Sequence, residues 1–197
     1  MNTKKIIIVL IVCTLLLAGI FTAYFFKQAL NSKRLPIIGQ VKPFELTDSH
    51  GQKFSSHKLR GKVWIANFFF TTCSDICPVM QKNMASLNRT FEKVRAVHLV
   101  SFTVNPEYDT SQTLSNYAKS VDTTKEDNWH FLTGSREDLN KIVIDSFKLG
   151  SIEQPIFHSP YFSLVDRNGY IRGYYDGTDQ EAINKLFKDS SQLIKER

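Results

Sequence analysis

Residues 61–80 read GKVWIANFFFTTCSDICPVM, and this stretch decides the fold. Within it, Lys62 to Phe70 is a near-continuous apolar and aromatic run. Such a run suits a central strand covered on both faces, as in a parallel sheet. Pro78 stands at a helix start, where its missing N–H is no loss. Met80, Met84, Leu87 and Phe91 then recur at helical spacing up to Val94. A strand, a short loop and a helix are expected in direct succession, with Cys73 and Cys77 at the junction.

Working outward, the same reading extends along the chain. Phe44 to Thr47 followed by Asp48-Ser49-His50-Gly51 reads as a short strand and turn. Ala96–Val104 is a strand, Thr110–Val121 a helix and Trp129–Leu132 a short strand closed by Gly134. Ser135 to Asp138 matches a capping box opening a helix through Phe147. Tyr161–Val165 and Tyr170–Tyr174 flank Asp166-Arg167-Asn168-Gly169, a hairpin signal. Asp179 caps a last helix through Ile194. Strands alternating with helices imply an α/β fold, its central mixed sheet covered by helices on both faces. The closing hairpin and helix fit a thioredoxin-like layout.

Upstream, Ile6–Phe26 is 21 residues without a charge. As a helix it would span roughly 30 Å, the thickness of a bilayer core. Bulky Ile20, Phe21, Tyr24, Phe25 and Phe26 stand where a cleaved signal would carry small residues, so an uncleaved transmembrane anchor is expected. The expected division is an anchor over 1–27, a tether over 28–40 and a domain over 41–197. Net charge is +6, but residues 1–34 carry +5 of it. The remaining 20 basic and 19 acidic residues nearly cancel, which argues against a nucleic-acid surface. Lys4 and Lys5 precede the apolar run while Lys27, Lys33 and Arg34 follow it, so charge alone does not orient the anchor. Three cysteines are too few for a disulfide scaffold.

Cys73 and Cys77 are separated by three residues at the carboxyl edge of the strongest strand, where open α/β sheets present ligands. The expected position of Cys77 beside a helix N-terminus favours a thiolate. The pair has three readings: ligands of a soft metal, a redox dithiol, or buried structural thiols. Among five histidines, His50 and His57 fall in polar loops, and His98 and His130 in strands. His158 precedes the final hairpin at the end of a long loop, and is either a third ligand or a structural histidine. Two thiolates with one imidazole suit Cu(I), whereas structural zinc would want a fourth ligand. Met80 and Met84 belong to the core stripe of their helix.

The stretch GKVWIANFFFTTCSDICPVM resembles the signature of the Sco/SenC family of membrane-anchored copper-binding proteins. Other segments agree in order: Leu46-Thr47-Asp48 with Gly51, Asn105-Pro106-Glu107 with Asp109-Thr110, Trp129 to Gly134, and His158-Ser159. The resemblance covers about residues 36–190 and the anchor. It implies a thioredoxin-like domain binding copper, as Cu(I) or Cu(II), through Cys73, Cys77 and His158. It implies a role in assembling the dinuclear copper site of cytochrome c oxidase subunit II, by delivering copper, by reducing that site's cysteines, or both. In the second case Cys73 and Cys77 would be the catalytic pair of a thiol–disulfide oxidoreductase. The short sequence before the anchor suits a bacterial cytoplasmic membrane protein with its domain on the periplasmic or extracytoplasmic side. Three positions depart from the family pattern: Ser74 and Asn105 replace a proline and an aspartate, and Pro160 follows the His158-Ser159 pair.

Overall fold

The computed structural model describes residues 3–30, 34–92, 94, 96–121, 128–149 and 159–196. They form two compact units, Met1–Leu35 and Pro36–Arg197. The first contains helix α1, Thr3–Leu30. Its described side chains, Ile7 and residues 10–25, are all exposed. The Thr14 and Thr22 hydroxyls donate to the carbonyls of Ile11 and Gly19, at 2.8 and 3.0 Å. Among the described residues, no helix is long and apolar enough to cross a membrane.

The second unit runs β1 (Gly39–Gln40), β2 (Glu45–Asp48), β3 (Lys53–Ser55), β4 (Val63–Phe69), α2 (Cys77–Phe91), β5 (Val97–Thr103) and α3 (Ser111–Ser120). It continues with β6 (Trp129–Thr133), α4 (Arg136–Asn140), a π-helical turn (Lys141–Ser146), β7 (Tyr161–Val165), β8 (Tyr170–Asp176) and α5 (Gln180–Lys195). Among the described residues the strands form one sheet in the order β1-β8-β7-β4-β5-β6-β2-β3. β4 is central, parallel to β5 and antiparallel to β7. All seven of its residues are buried, as its unbroken apolar run predicts.

Alternate residues of β4 feed two cores. Trp64, Ala66 and Phe68 join Val100, Phe102 and Leu132 under Phe44, Leu46, Phe54 and the Ile142–Phe147 segment. There Phe68 stacks on Phe102 at 5.4 Å, and Phe147 meets Phe68 edge-on at 5.1 Å. On the opposite side Phe69 stacks on Tyr117 of α3 at 5.3 Å. Phe91 of α2 and Phe187 of α5 meet at 5.3 Å. The expected mixed sheet with helical cover on both faces is present.

Three details differ from expectation. The single helix expected through Phe147 splits into α4 and a π-helical turn, in which Phe147 N–H bonds Ile142 C=O at 3.0 Å. The wider winding turns Ile142, Val143, Ser146 and Phe147 inward together. β1 lies inside the stretch expected as tether, and α1 continues past residue 27 to Leu30. β1 pairs with Ile171 and Tyr170 over two residues, too few to leave a periodic pattern. β3, only three residues long, pairs with β2 and turns the expected strand and turn into a hairpin.

Candidate metal centre

The loop between β4 and α2 stands at the carboxyl edge of the parallel strands. Its geometry is set from β5. Asp109 is fully buried and accepts the Thr71 N–H at 3.1 Å, the Thr71 hydroxyl, and the Thr103 hydroxyl at 2.5 Å. Val104 N–H meets Phe69 C=O at 2.9 Å, tying the ends of the two strands. The Asn105 N–H donates to Thr103 Oγ1 at 3.0 Å, and the Asn105 carbonyl accepts the Asp109 N–H at 2.9 Å. Asn105 thus contributes its backbone to the turn that positions Asp109. Cys73 N–H closes on Phe70 C=O at 3.2 Å.

Both site cysteines are free thiols, Cys73 half-buried and Cys77 buried. Their side chains are near enough for Cys73 to act on the ionisation of Cys77. Cys77 is the first residue of α2, with Pro78 in the first turn, as the sequence indicates. The thiolate expected for it is not favoured. Its pKa is pushed up to about 12, first by burial and then by the neighbouring Cys73 side chain. A Phe70 backbone hydrogen bond lowers it, while the charges of Cys73 and Asp75 raise it further. Desolvation outweighs the helix end here. Cys73 is the more accessible sulfur.

Tyr117 was not legible as a neighbour of this site. Burial raises its phenol pKa, and the nearby Cys77, Cys73 and Asp109 raise it further. Asp109 carries a sequence signal, the Asp-Thr pair after Asn105-Pro106-Glu107, but its clamp on Thr71 emerges only in three dimensions. Ser74 is exposed on the loop.

His158 lies outside the described residues. Next to it, Ser159 is buried and its Oγ accepts the Tyr161 N–H at 3.2 Å, while Pro160 C=O accepts the Gly177 N–H at 2.7 Å. Among the described residues, no three His, Cys, Asp or Glu side chains are grouped to hold a metal. His50 and His57 are exposed. His98 and His130 stand at the amino ends of β5 and β6, away from the thiols. Lys62 Nζ donates to His98 Nε2 at 2.7 Å, and His98 Nδ1 meets His130 Nε2 at 3.1 Å. An ammonium only donates, so His98 carries its proton on Nδ1. Burial and Lys62 lower the His98 pKa to about 4; burial, His98, Lys58 and Lys62 lower that of His130 to about 3.

As a donor set, two neighbouring thiols at a surface-accessible loop suit a soft, thiophilic ion or thiol–disulfide exchange. Fold and site together define a thioredoxin-like α/β domain with a dithiol at a strand-to-helix junction. The sequence pattern of the SCO1/SenC family matches residues 38–194, and the chain belongs to that family. The "SCO1 protein homolog" of Bacillus subtilis is 31% identical over 161 residues, covering 78% of this chain and 82% of the relative. The structure reported as "a disulfide switch in BsSco, a member of the Sco family of cytochrome c oxidase assembly proteins" has a TM-score of 0.72. It is 27% identical and covers 84% of this chain and 100% of that one. Bradyrhizobium japonicum ScoI, solved with copper bound, has a TM-score of 0.61 at 25% identity, covering 77% of this chain and 98% of that one.

Proposed function

We propose that this protein is a copper metallochaperone. It binds one copper ion through Cys73, Cys77 and His158 and assists assembly of the dinuclear copper site of cytochrome c oxidase subunit II. The observation that carries the reading is the pair of free, neighbouring thiols, Cys73 on the loop before α2 and Cys77 at its first residue. The family relationship and the copper-bound B. japonicum relative support it. Copper capture displaces the thiol protons, so affinity falls as pH falls. Transfer proceeds by exchange of ligands with the thiolates and imidazoles of the target. The 21 uncharged residues of the N-terminal run support a single-pass anchor in a bacterial cytoplasmic membrane, and the family relationship supports a domain on the extracytoplasmic side.

A second reading is favoured by the same neighbouring thiols and by the disulfide switch of the BsSco relative. In it the Cys73 thiolate attacks a partner disulfide, releasing one partner thiolate. Cys77 then displaces the second, leaving a Cys73–Cys77 disulfide and passing two electrons to the partner. Mixing the copper-loaded chain with the soluble, metal-free domain of oxidase subunit II separates the two. Delivery predicts that copper moves to the target while Cys73 and Cys77 stay reduced. Reduction predicts that an oxidised target gains thiols while the chain gains a disulfide. Neither transfer would contradict both readings.

A further inference from the structure

Gln81 stands on α2 four residues after Cys77. Side chains four apart on a helix share a face, with Cβ atoms about 5–6 Å apart. They also lean toward the helix N-terminus, so the Gln81 side chain extends toward the turn that carries Cys77. Both residues are buried, Gln81 at 2% exposure and Cys77 at 1%. Gln81 also lines a groove of about 440 Å³ whose wall includes Cys73, Pro78 and Tyr117. It therefore shares a helix face with one thiol and a groove wall with the other.

Among the described residues, neither the amide nitrogen nor the amide oxygen of Gln81 has a hydrogen-bond partner. A buried amide left unpaired is costly, and each such group in a folded protein calls for a reason. Here it lies beside two thiols that must become thiolates to hold a soft ion. An amide N–H donates and a thiolate accepts. Cys77 has the greater need of a donor, because burial disfavours its charge and only the Phe70 backbone acts the other way. Asn88, seven residues further along α2, also has an unpaired, buried amide nitrogen. It stands three turns from Cys77 and is not part of the groove wall.

We propose that Gln81 is a positioning residue of the copper site, its amide N–H donating to the Cys77 thiolate that forms when the thiol proton leaves on copper capture. The inference rests on the copper binding proposed above. The bond offsets part of the desolvation of that thiolate and orients its sulfur. Partners of this kind, one layer behind the ligands, change metal affinity by about ten- to a hundredfold when removed.

The test compares the parent with Gln81→Leu, Gln81→Glu and Asn88→Leu, each as the reduced full chain in detergent. Anaerobic Cu(I) titration against a competing chelator reads affinity, and thermal unfolding without metal reads stability. Gln81→Leu removes two unpaired polar atoms, so its metal-free midpoint should equal or exceed that of the parent. Its Cu(I) affinity should nevertheless fall about tenfold or more. Gln81→Glu keeps the shape, loses the amide donor and adds a charge that repels the thiolates, so its affinity should fall further. A packing role predicts the opposite order, with Gln81→Glu nearest the parent. Asn88→Leu makes a similar change away from the thiols and should leave affinity unchanged. Loading with Cu(II) adds a spectroscopic signature. A hydrogen bond to sulfur lowers the energy of its lone pairs, so Gln81→Leu should move the sulfur-to-copper charge-transfer absorption to longer wavelength. Parent-like affinity or an unmoved band in Gln81→Leu would overturn the proposal, as would an equal loss of affinity in Asn88→Leu. A parent that holds no copper sinks the chaperone reading and this inference together. Tight copper indifferent to Gln81 sinks the inference alone.

Discussion

The Asp109 carboxylate holds Thr71 by both its backbone N–H and its hydroxyl, two residues before Cys73. It thereby fixes the thiol loop to the end of β5. Asp109→Ala would leave Thr71 and Thr103 without this shared acceptor. The expected cost is about 2–4 kcal/mol of stability, and copper affinity should fall about tenfold or more. Asp109→Asn keeps one acceptor oxygen and should fall in between. Thermal unfolding and a Cu(I) competition titration check this; an alanine variant matching the parent in both would contradict it.

The two thiols should differ sharply in reactivity. With a pKa of about 12, Cys77 is almost wholly protonated at pH 8, and it is buried. Iodoacetamide should modify Cys73 at least about tenfold faster than Cys77 in the reduced, metal-free protein. Peptide mass spectrometry over a time course reads this directly, and faster labelling of Cys77 would refute the assignment of accessibility.

The Lys62–His98–His130 chain predicts acid lability. Both imidazoles are depressed in the folded state, to about 4 and about 3, against an ordinary 6.5. Between these values the unfolded chain binds more protons, so stability falls as pH drops below about 6.5 and keeps falling toward about 4. The loss by pH 4.5 should be of order 2 kcal/mol for the pair together, given that His130 is partly solvated. Urea midpoints of the parent and of His98→Gln with His130→Gln, measured at pH 7 and pH 4.5, test it. The variant should show the shallower decline.

Arg167 should matter for stability and not for copper. Its guanidinium donates to the carbonyls of Leu193, Ile194 and Glu196 at the end of α5. Arg167→Ala should cost about 1–3 kcal/mol, by removing charge-assisted hydrogen bonds at a helix C-terminus. Differential scanning calorimetry should show a fall of several degrees, with copper stoichiometry unchanged.

What the sequence made legible follows from physical range. The buried β4, the Met80–Met84 stripe of α2 and the Ser135 cap all announce themselves through spacing or local chemistry. The Asp166 turn does too: its Oδ1 accepts the N–H groups of Asn168 and Tyr170. β1 and β3 did not, because a two- or three-residue strand is specified by its neighbour. The π-helical turn depends on what Phe147 packs against, and so was also hidden. The state of Cys77 departs from the sequence expectation for a related reason. A helix N-terminus is visible in sequence, but the burial that overrides it is not. The Asp109 clamp and the Tyr117 neighbour arise from contacts across 38 residues or more, beyond the reach of local pattern.

The most direct test of the central claim is an anaerobic Cu(I) titration of the reduced full chain in detergent against a competing chelator, with Cys73→Ser, Cys77→Ser and His158→Ala in parallel. The account predicts one tightly held ion in the parent, lost in both serine variants and weakened in His158→Ala. Full-strength, stoichiometric copper in either serine variant would contradict it.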